Sequence, residues 1–145
     1  MVGLIIDACV APKWVVTEEF SDEAALLINS GFELHAPAHW LAESSNVLWD
    51  YWHRRKLMTR DDLDEAAVLM REVTVHETPI RGLMPAAIRI AADLRITVYD
   101  ALYLSLAEDL RLPLVTADRK LANAAEGHPS FRQLILWIAD VPNLA

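Results

Sequence analysis

The sequence is short of several things, and each shortage narrows what the protein is. A single cysteine, Cys9, excludes a disulfide framework and any cysteine-rich zinc module, both of which need cysteines in sets. With only four glycines there is no Gly/Ser-rich linker, and no internal repeat or low-complexity tract is present. No apolar run approaches the roughly 20 residues that span a bilayer. The first run is broken by Asp7 and lacks the basic start of a secretory leader, so the chain is expected to work in the cytoplasm, without a membrane. Basic charge is scarce too: 13 Lys and Arg stand against 21 Asp and Glu, a formal net charge of −8. Such a chain does not work by coating a phosphate backbone, which takes a basic stripe. An enzyme can still meet nucleic acid through bound cations.

What is present fits one ordinary domain over residues 1–145. The chain is 54% hydrophobic and 23% charged, the balance of a compact globular protein rather than a disordered, collagenous or coiled-coil one. Val2–Ile6 is a continuous apolar run that suits a strand buried on both faces. Residues 18–30 carry a helical pattern ended by Gly31, and a short strand around Leu34–Ala36 stops at Pro37. A helix is expected from Ala38 to about Arg55, and another, opened by Thr59 and its following acids, to about Met70. Val73–Val75 reads as a strand, Leu83–Leu94 as a helix, and Ile96–Asp100 as a turn into an apolar helix reaching about Leu110. Leu114–Thr116 reads as a strand, Asp118–Ala125 as a helix and Leu134–Ile138 as a last strand. Strands alternating with helices predict an α/β fold of three layers, α/β/α, around a mostly parallel sheet.

The acids fall where such a sheet puts its ligands. Asp7 and Asp118 follow strands directly, and Asp100 opens the 101–110 helix. In an open parallel sheet the strand C-termini share one edge, and ligands bind in the crevice there. Glu43, near the start of its helix, borders the apolar stripe rather than the solvated face. Each acid alone has a plain structural explanation, since Asp is among the commonest helix caps and Thr97 with Asp100 could form a capping pair. Four carboxylates converging on one crevice are different, because they repel one another unless a cation neutralises them. The hard ions Mg²⁺ and Mn²⁺ are the natural partners of an all-oxygen set. Held there, they can activate water for phosphodiester hydrolysis.

Four stretches then stand out together: Leu4-Ile-Ile-Asp7-Ala8, Ala36-Pro-Ala-His-Trp-Leu-Ala-Glu43, Tyr99-Asp-Ala-Leu-Tyr-Leu-Ser-Leu-Ala107 and Val115-Thr-Ala-Asp-Arg-Lys-Leu-Ala122. In order and in spacing they resemble the signature stretches of PIN-domain proteins, and within that family the VapC-type toxins of toxin–antitoxin pairs. The resemblance covers nearly the whole chain. It implies a metal-dependent endoribonuclease in which Asp7, Glu43, Asp100 and Asp118 are both the catalytic set and the Mg²⁺- or Mn²⁺-binding set. It implies an antitoxin encoded alongside as partner, RNA as substrate, and a homodimer. Thr116 and Cys9 are the positions expected to support the metal-binding acids, Cys9 standing where many relatives carry Ser or Asn. Two rival readings share this layout: a PIN-like fold kept as a catalytically silent binding module, and an acidic-pocket phospho-receiver domain. The receiver pattern asks for an acidic pair after the first strand and a lysine ending a late strand, and neither is evident.

Other side chains bear on partners. Arg54, Arg55 and Lys56 form the dense basic cluster and, with Lys13, are candidate phosphate handles. Trp40 and Trp52 are expected to pack in the core. Trp49 projects outside its helix's apolar stripe and is a candidate interface residue. His35 and His39 stand four apart, but Pro37 between them argues against one helix presenting both to a metal.

Overall fold

The computed structural model describes residues 1–144 and contains a five-stranded sheet. Strands β1 (Gly3–Ile6), β2 (Glu33–Pro37), β3 (His76–Thr78), β4 (Leu114–Thr116) and β5 (Ile135–Trp137) lie in the order β3-β2-β1-β4-β5. All four pairings are parallel, so the mostly parallel sheet expected is a wholly parallel one. Leu4, Ile5, Ile6, Leu114 and Val115 are fully buried, which is why β1 and β4 read as unbroken apolar runs.

Among the described residues six α-helices flank the sheet: α1 (Ser21–Asn29), α2 (Trp40–His53), α3 (Arg60–Glu72), α4 (Met84–Leu94), α5 (Val98–Leu110) and α6 (Arg119–Glu126). Helix α5 packs on α4 and on β1, β2 and β4, and seven consecutive residues of it, Ala101–Ala107, are buried. A helix apolar on every side belongs inside, and α5 is the centre of one layer. Local rules set several ends. The Thr59 hydroxyl accepts from Asp62 N (3.1 Å) while the Asp62 carboxylate accepts from Thr59 N (3.2 Å), a reciprocal cap on α3. Gly31, just past α1, sits at φ +78°, a conformation that costs glycine nothing.

Three expectations shift, and one stretch without an assignment gains one. The third strand is His76–Thr78, not Val73–Val75: it is set by pairing with β2, His35 opposite His76 and Pro37 opposite Thr78. Val73 and Val75 instead pack their side chains on the core from the loop before it. The strand is an edge with exposed His76 and Glu77, so apolar content does not mark it. The first helix begins at Ser21 rather than residue 18, because Glu18 lies before its start, its amide held by the Ser21 hydroxyl at 2.9 Å. Ala11–Trp14, unassigned from sequence, is a short 3₁₀ turn opened by Pro12. Trp40 is buried as expected, whereas Trp52 is half-buried outside the core, with Arg60 lying 6.0 Å over its ring.

Candidate functional site

The strand order reverses between β1 and β4, the place where an open parallel sheet leaves a crevice at its C-terminal edge. Asp7 follows β1 there, and its amide donates to the Val115 carbonyl of β4 at 3.0 Å. Asp118 follows β4 two residues on and caps α6, its Oδ1 accepting from Lys120 N (2.9 Å) and Leu121 N (3.3 Å). Thr116 links the two acids. Its fully buried hydroxyl donates to Asp7 Oδ2 at 2.7 Å and accepts from Asp118 N at 3.0 Å.

Asp7 is the most confined of the acids, only 4% exposed. Oδ1 accepts from Ala8 N (2.8 Å), and Oδ2 accepts the Cys9 thiol (3.2 Å) besides the Thr116 hydroxyl. Burial nevertheless dominates, pushing the Asp7 carboxyl up from 3.8 to about 6; the bonds from Thr116 and Cys9 oppose it, and the charges of Asp100 and Asp118 add to it. Cys9 also accepts from Ala117 N at 3.4 Å, so the thiol ties the end of β1 to the β4–α6 junction. Burial, and then the Asp7 charge, push that thiol well up, leaving it protonated and no nucleophile.

Helix starts bring the other two acids. Asp100 lies in the first turn of α5 behind the Thr97 cap, which accepts from Asp100 N at 3.2 Å. Burial raises its carboxyl, with Asp118 and Glu43 adding, while Thr97 and His39 work the other way. Glu43 lies in the first turn of α2, and its Oε1 accepts the Tyr103 hydroxyl at 2.9 Å. His39 Nε2 is 2.9 Å from the same oxygen and 3.2 Å from the Tyr99 carbonyl, contacts that call for a proton on Nε2. The Tyr103 hydroxyl is held far above its ordinary range by burial and then by the Glu43 charge, so it stays a donor. The charges of Asp100 and Asp118 reach Asp7, and those of Asp118 and Glu43 reach Asp100, so Asp100 is the acid that links Glu43 to the other two.

The donor set of these four acids is all oxygen, and neighbouring carboxylate charges help raise Asp7 and Asp100, which is the chemistry that suits a hard divalent ion. Among the described residues, no group of three or more His, Cys, Asp or Glu side chains is arranged so as to hold a metal ion. Glu43 Oε1 is engaged with Tyr103 and His39, and Asp118 Oδ1 with the α6 amides.

His39 and Tyr103 were not picked out by the sequence as parts of the site. The available signals were their spacings, Tyr103 three residues after Asp100 on α5 and His39 four before Glu43, which put each pair on one helix face. The basic candidates lie elsewhere. Lys13 is buried to 11% side-chain exposure, its ammonium on Glu18 Oε1 (3.1 Å) and the Glu19 carbonyl (2.9 Å). Arg54, Arg55 and Lys56 are exposed past the end of α2, and Arg54 pairs with Asp50 at 3.2 Å. At 1.5 Å per residue they begin roughly 16 Å along the helix from Glu43. Trp49 is 44% exposed and stacks on His53 with ring centroids 4.6 Å apart.

The chain belongs to the PIN domain family, whose model matches residues 4–127. Ribonuclease VapC3 of Pyrobaculum aerophilum is 32% identical over 124 residues, a stretch covering 82% of this chain and 92% of that protein. The crystal structure of PAE2754 from Pyrobaculum aerophilum superposes with a TM-score of 0.65 at 22% identity, covering 99% of this chain and 95% of that one. A toxin–antitoxin complex from Klebsiella pneumoniae superposes with a TM-score of 0.58 at 13% identity, covering 92% of this chain and 95% of its counterpart. At those identities the two structures speak for the fold alone. No helix among the described residues is long and apolar enough to cross a membrane.

Proposed function

We propose that this chain is a divalent-metal-dependent endoribonuclease that hydrolyses RNA phosphodiester bonds as the toxin of a toxin–antitoxin pair. The observation that carries the reading is the buried Asp7 carboxylate, joined through Thr116 to Asp118 and repelled by both Asp100 and Asp118 at the sheet's switch point. Asp7, Glu43, Asp100 and Asp118 are the residues that would hold Mg²⁺ or Mn²⁺. Bound there, such an ion supplies an activated water and charge stabilisation for in-line displacement at phosphorus. The chain's own contribution is orientation. Thr116 and Cys9 fix the Asp7 carboxylate, the α6 amides fix Asp118, and Tyr103 with His39 fixes Glu43. No side-chain nucleophile is required, and Cys9, held protonated, is not one.

The ribonuclease name of the Pyrobaculum aerophilum relative supports RNA as the substrate, and the toxin–antitoxin complex from Klebsiella pneumoniae supports an antitoxin as the partner. A homodimer, with Trp49 at an interface, and action in the cytoplasm belong to the same reading. The test is incubation of the purified, antitoxin-free protein with total cellular RNA in Mg²⁺ or Mn²⁺ against EDTA, with Asp100→Asn alongside. Discrete fragments that need metal and vanish in the variant are expected. Intact RNA in every lane from a folded protein would hand the reading to a catalytically silent binding module.

A further inference from the structure

Ser44 follows Glu43 directly in α2, and its side chain is fully buried, 0% exposed. Alanine would suit a buried helix position better. Serine gives up helix propensity there and carries into the interior a hydroxyl that must be bonded. A serine inside a helix commonly turns that hydroxyl back to the carbonyl one turn earlier. Ser44 reaches out of its helix instead, donating to the Ala8 carbonyl at 2.9 Å, 36 positions away.

That carbonyl belongs to the peptide joining Ala8 to Cys9, and both of those residues hold Asp7. Ala8 N donates to Asp7 Oδ1 at 2.8 Å, and the Cys9 thiol donates to Oδ2 at 3.2 Å. Each oxygen of the carboxylate is thus bonded by one of the two residues that a single peptide connects, and Ser44 grips that peptide. On its other side Asp7 is tied to β4, through the Thr116 hydroxyl and the Val115 carbonyl. Those ties set where Asp7 lies in the sheet but not how far it lies from α2. The contacts of Glu43 do not set it either, since Tyr103 belongs to α5 and His39 precedes Glu43 at the start of α2 itself. The Ser44 bond does: a shift of the Ala8–Cys9 peptide against α2 would change the bite of Asp7 and its spacing from Glu43 together.

We propose that Ser44 is a positioning residue of the acidic centre, its hydroxyl fixing the Asp7 carboxylate through the Ala8–Cys9 peptide and setting its distance from Glu43. This rests on the ribonuclease reading and adds to it a residue that touches neither metal nor RNA. A small hard ion such as Mg²⁺ demands close to ideal geometry of its oxygen ligands, so the spacing of two carboxylates bears directly on affinity.

The test measures Mn²⁺ binding to the purified protein from the electron paramagnetic resonance signal of the free ion, which needs no turnover. Ser44→Ala is expected to raise the dissociation constant about ten- to a hundredfold, the range typical of groups that orient metal ligands. Ser44→Cys, which keeps a weak donor, should recover part of that loss. Ser105→Ala is the matched control: its hydroxyl is also buried in a helix and donates to a main-chain carbonyl, that of Leu83 at 3.2 Å. It should lower the urea midpoint in EDTA much as Ser44→Ala does and leave the Mn²⁺ dissociation constant that of the unaltered protein. Should Ser44→Ala not fold, a smaller rise is read in Ser44→Cys, and an unmoved constant there counts against the role. An unchanged constant in a folded Ser44→Ala, one raised equally in Ser105→Ala, or no Mn²⁺ binding by the unaltered protein would overturn the assignment. Absence of metal-dependent cleavage of total RNA sinks the ribonuclease reading itself. Cleavage together with unaltered Mn²⁺ binding by Ser44→Ala sinks the role of Ser44 alone.

Discussion

Asp7→Asn is expected to make the metal-free protein more stable at neutral pH. The Asp7 carboxyl is 4% exposed and is pushed by burial from 3.8 to about 6. At about 1.4 kcal/mol per pH unit, the ionised group costs the fold about 3 kcal/mol above that range. The sign follows from which state ionises first. Below pH 3.8 the group is protonated both folded and unfolded; as pH rises from there through about 6, the unfolded chain ionises first and stability is lost, levelling off above. Asparagine cannot ionise. Its Oδ1 can keep the Ala8 amide, while its NH₂ cannot accept the Thr116 hydroxyl, at a cost of about 1 kcal/mol. The variant should thus gain about 2 kcal/mol at pH 7.5, or roughly 5 °C in Tm, and at pH 4 be less stable than the unaltered protein by about 0.5 kcal/mol. Urea unfolding of both proteins in EDTA between those pH values measures the difference. A gap that is flat with pH, or that closes as pH rises, refutes the assignment of an uncompensated buried carboxylate. In the same experiment, Mg²⁺ at about ten times its Kd should stabilise the unaltered protein by roughly 1.4 kcal/mol, and Asp7→Asn much less.

Thr116→Val keeps shape but removes the donor to Asp7 Oδ2 and the acceptor of the Asp118 amide, so a loss of about 2 kcal/mol at pH 7.5 is expected by urea unfolding. It should also raise the Asp7 carboxyl further, visible as an acid limb of cleavage moved to higher pH. Cys9→Ser puts a stronger donor where the thiol lies 3.2 Å from Asp7 Oδ2 and should move that limb the other way; an unmoved limb would mean the thiol bond does nothing for Asp7. Trp49→Ala should leave thermal stability within about 0.5 kcal/mol, because the side chain is 44% exposed and rests on His53. Self-association or antitoxin binding, followed by sedimentation or calorimetry, should weaken at least about tenfold, and unchanged association removes Trp49 as an anchor.

What the sequence by itself determined are features written within a few residues of one another. The apolar runs of β1 and β4, the Thr59–Asp62 cap, the turn at Gly31 and the acids that follow strands or open helices are all local in chain distance. The physics behind them, burial periodicity and side-chain capping of nearby amides, is local too. The rule that parallel strands end on a common edge led to the expectation that Asp7 and Asp118 meet there; Asp100 and Glu43 joined that expectation through their places near helix starts and through the family resemblance.

What the tertiary structure decided are matters of pairing between distant segments. The third strand falls at His76–Thr78 because backbone register with β2 overrides the apolar Val73–Val75 stretch. Lys13 is withdrawn from solvent by Glu18, which also accepts the Tyr51 hydroxyl at 2.7 Å across 33 positions. Tyr103 and Glu43 are 60 positions apart, as are His39 and Tyr99, so their hydrogen bonds exist only once α5 has packed against the start of α2. The bond from Ser44 to the Ala8 carbonyl, across 36 positions, is of the same kind. A charge or a ring in a sequence carries no record of what it will face. That is fixed by the burial of α5 against the sheet, a free energy summed over the whole core rather than over any motif.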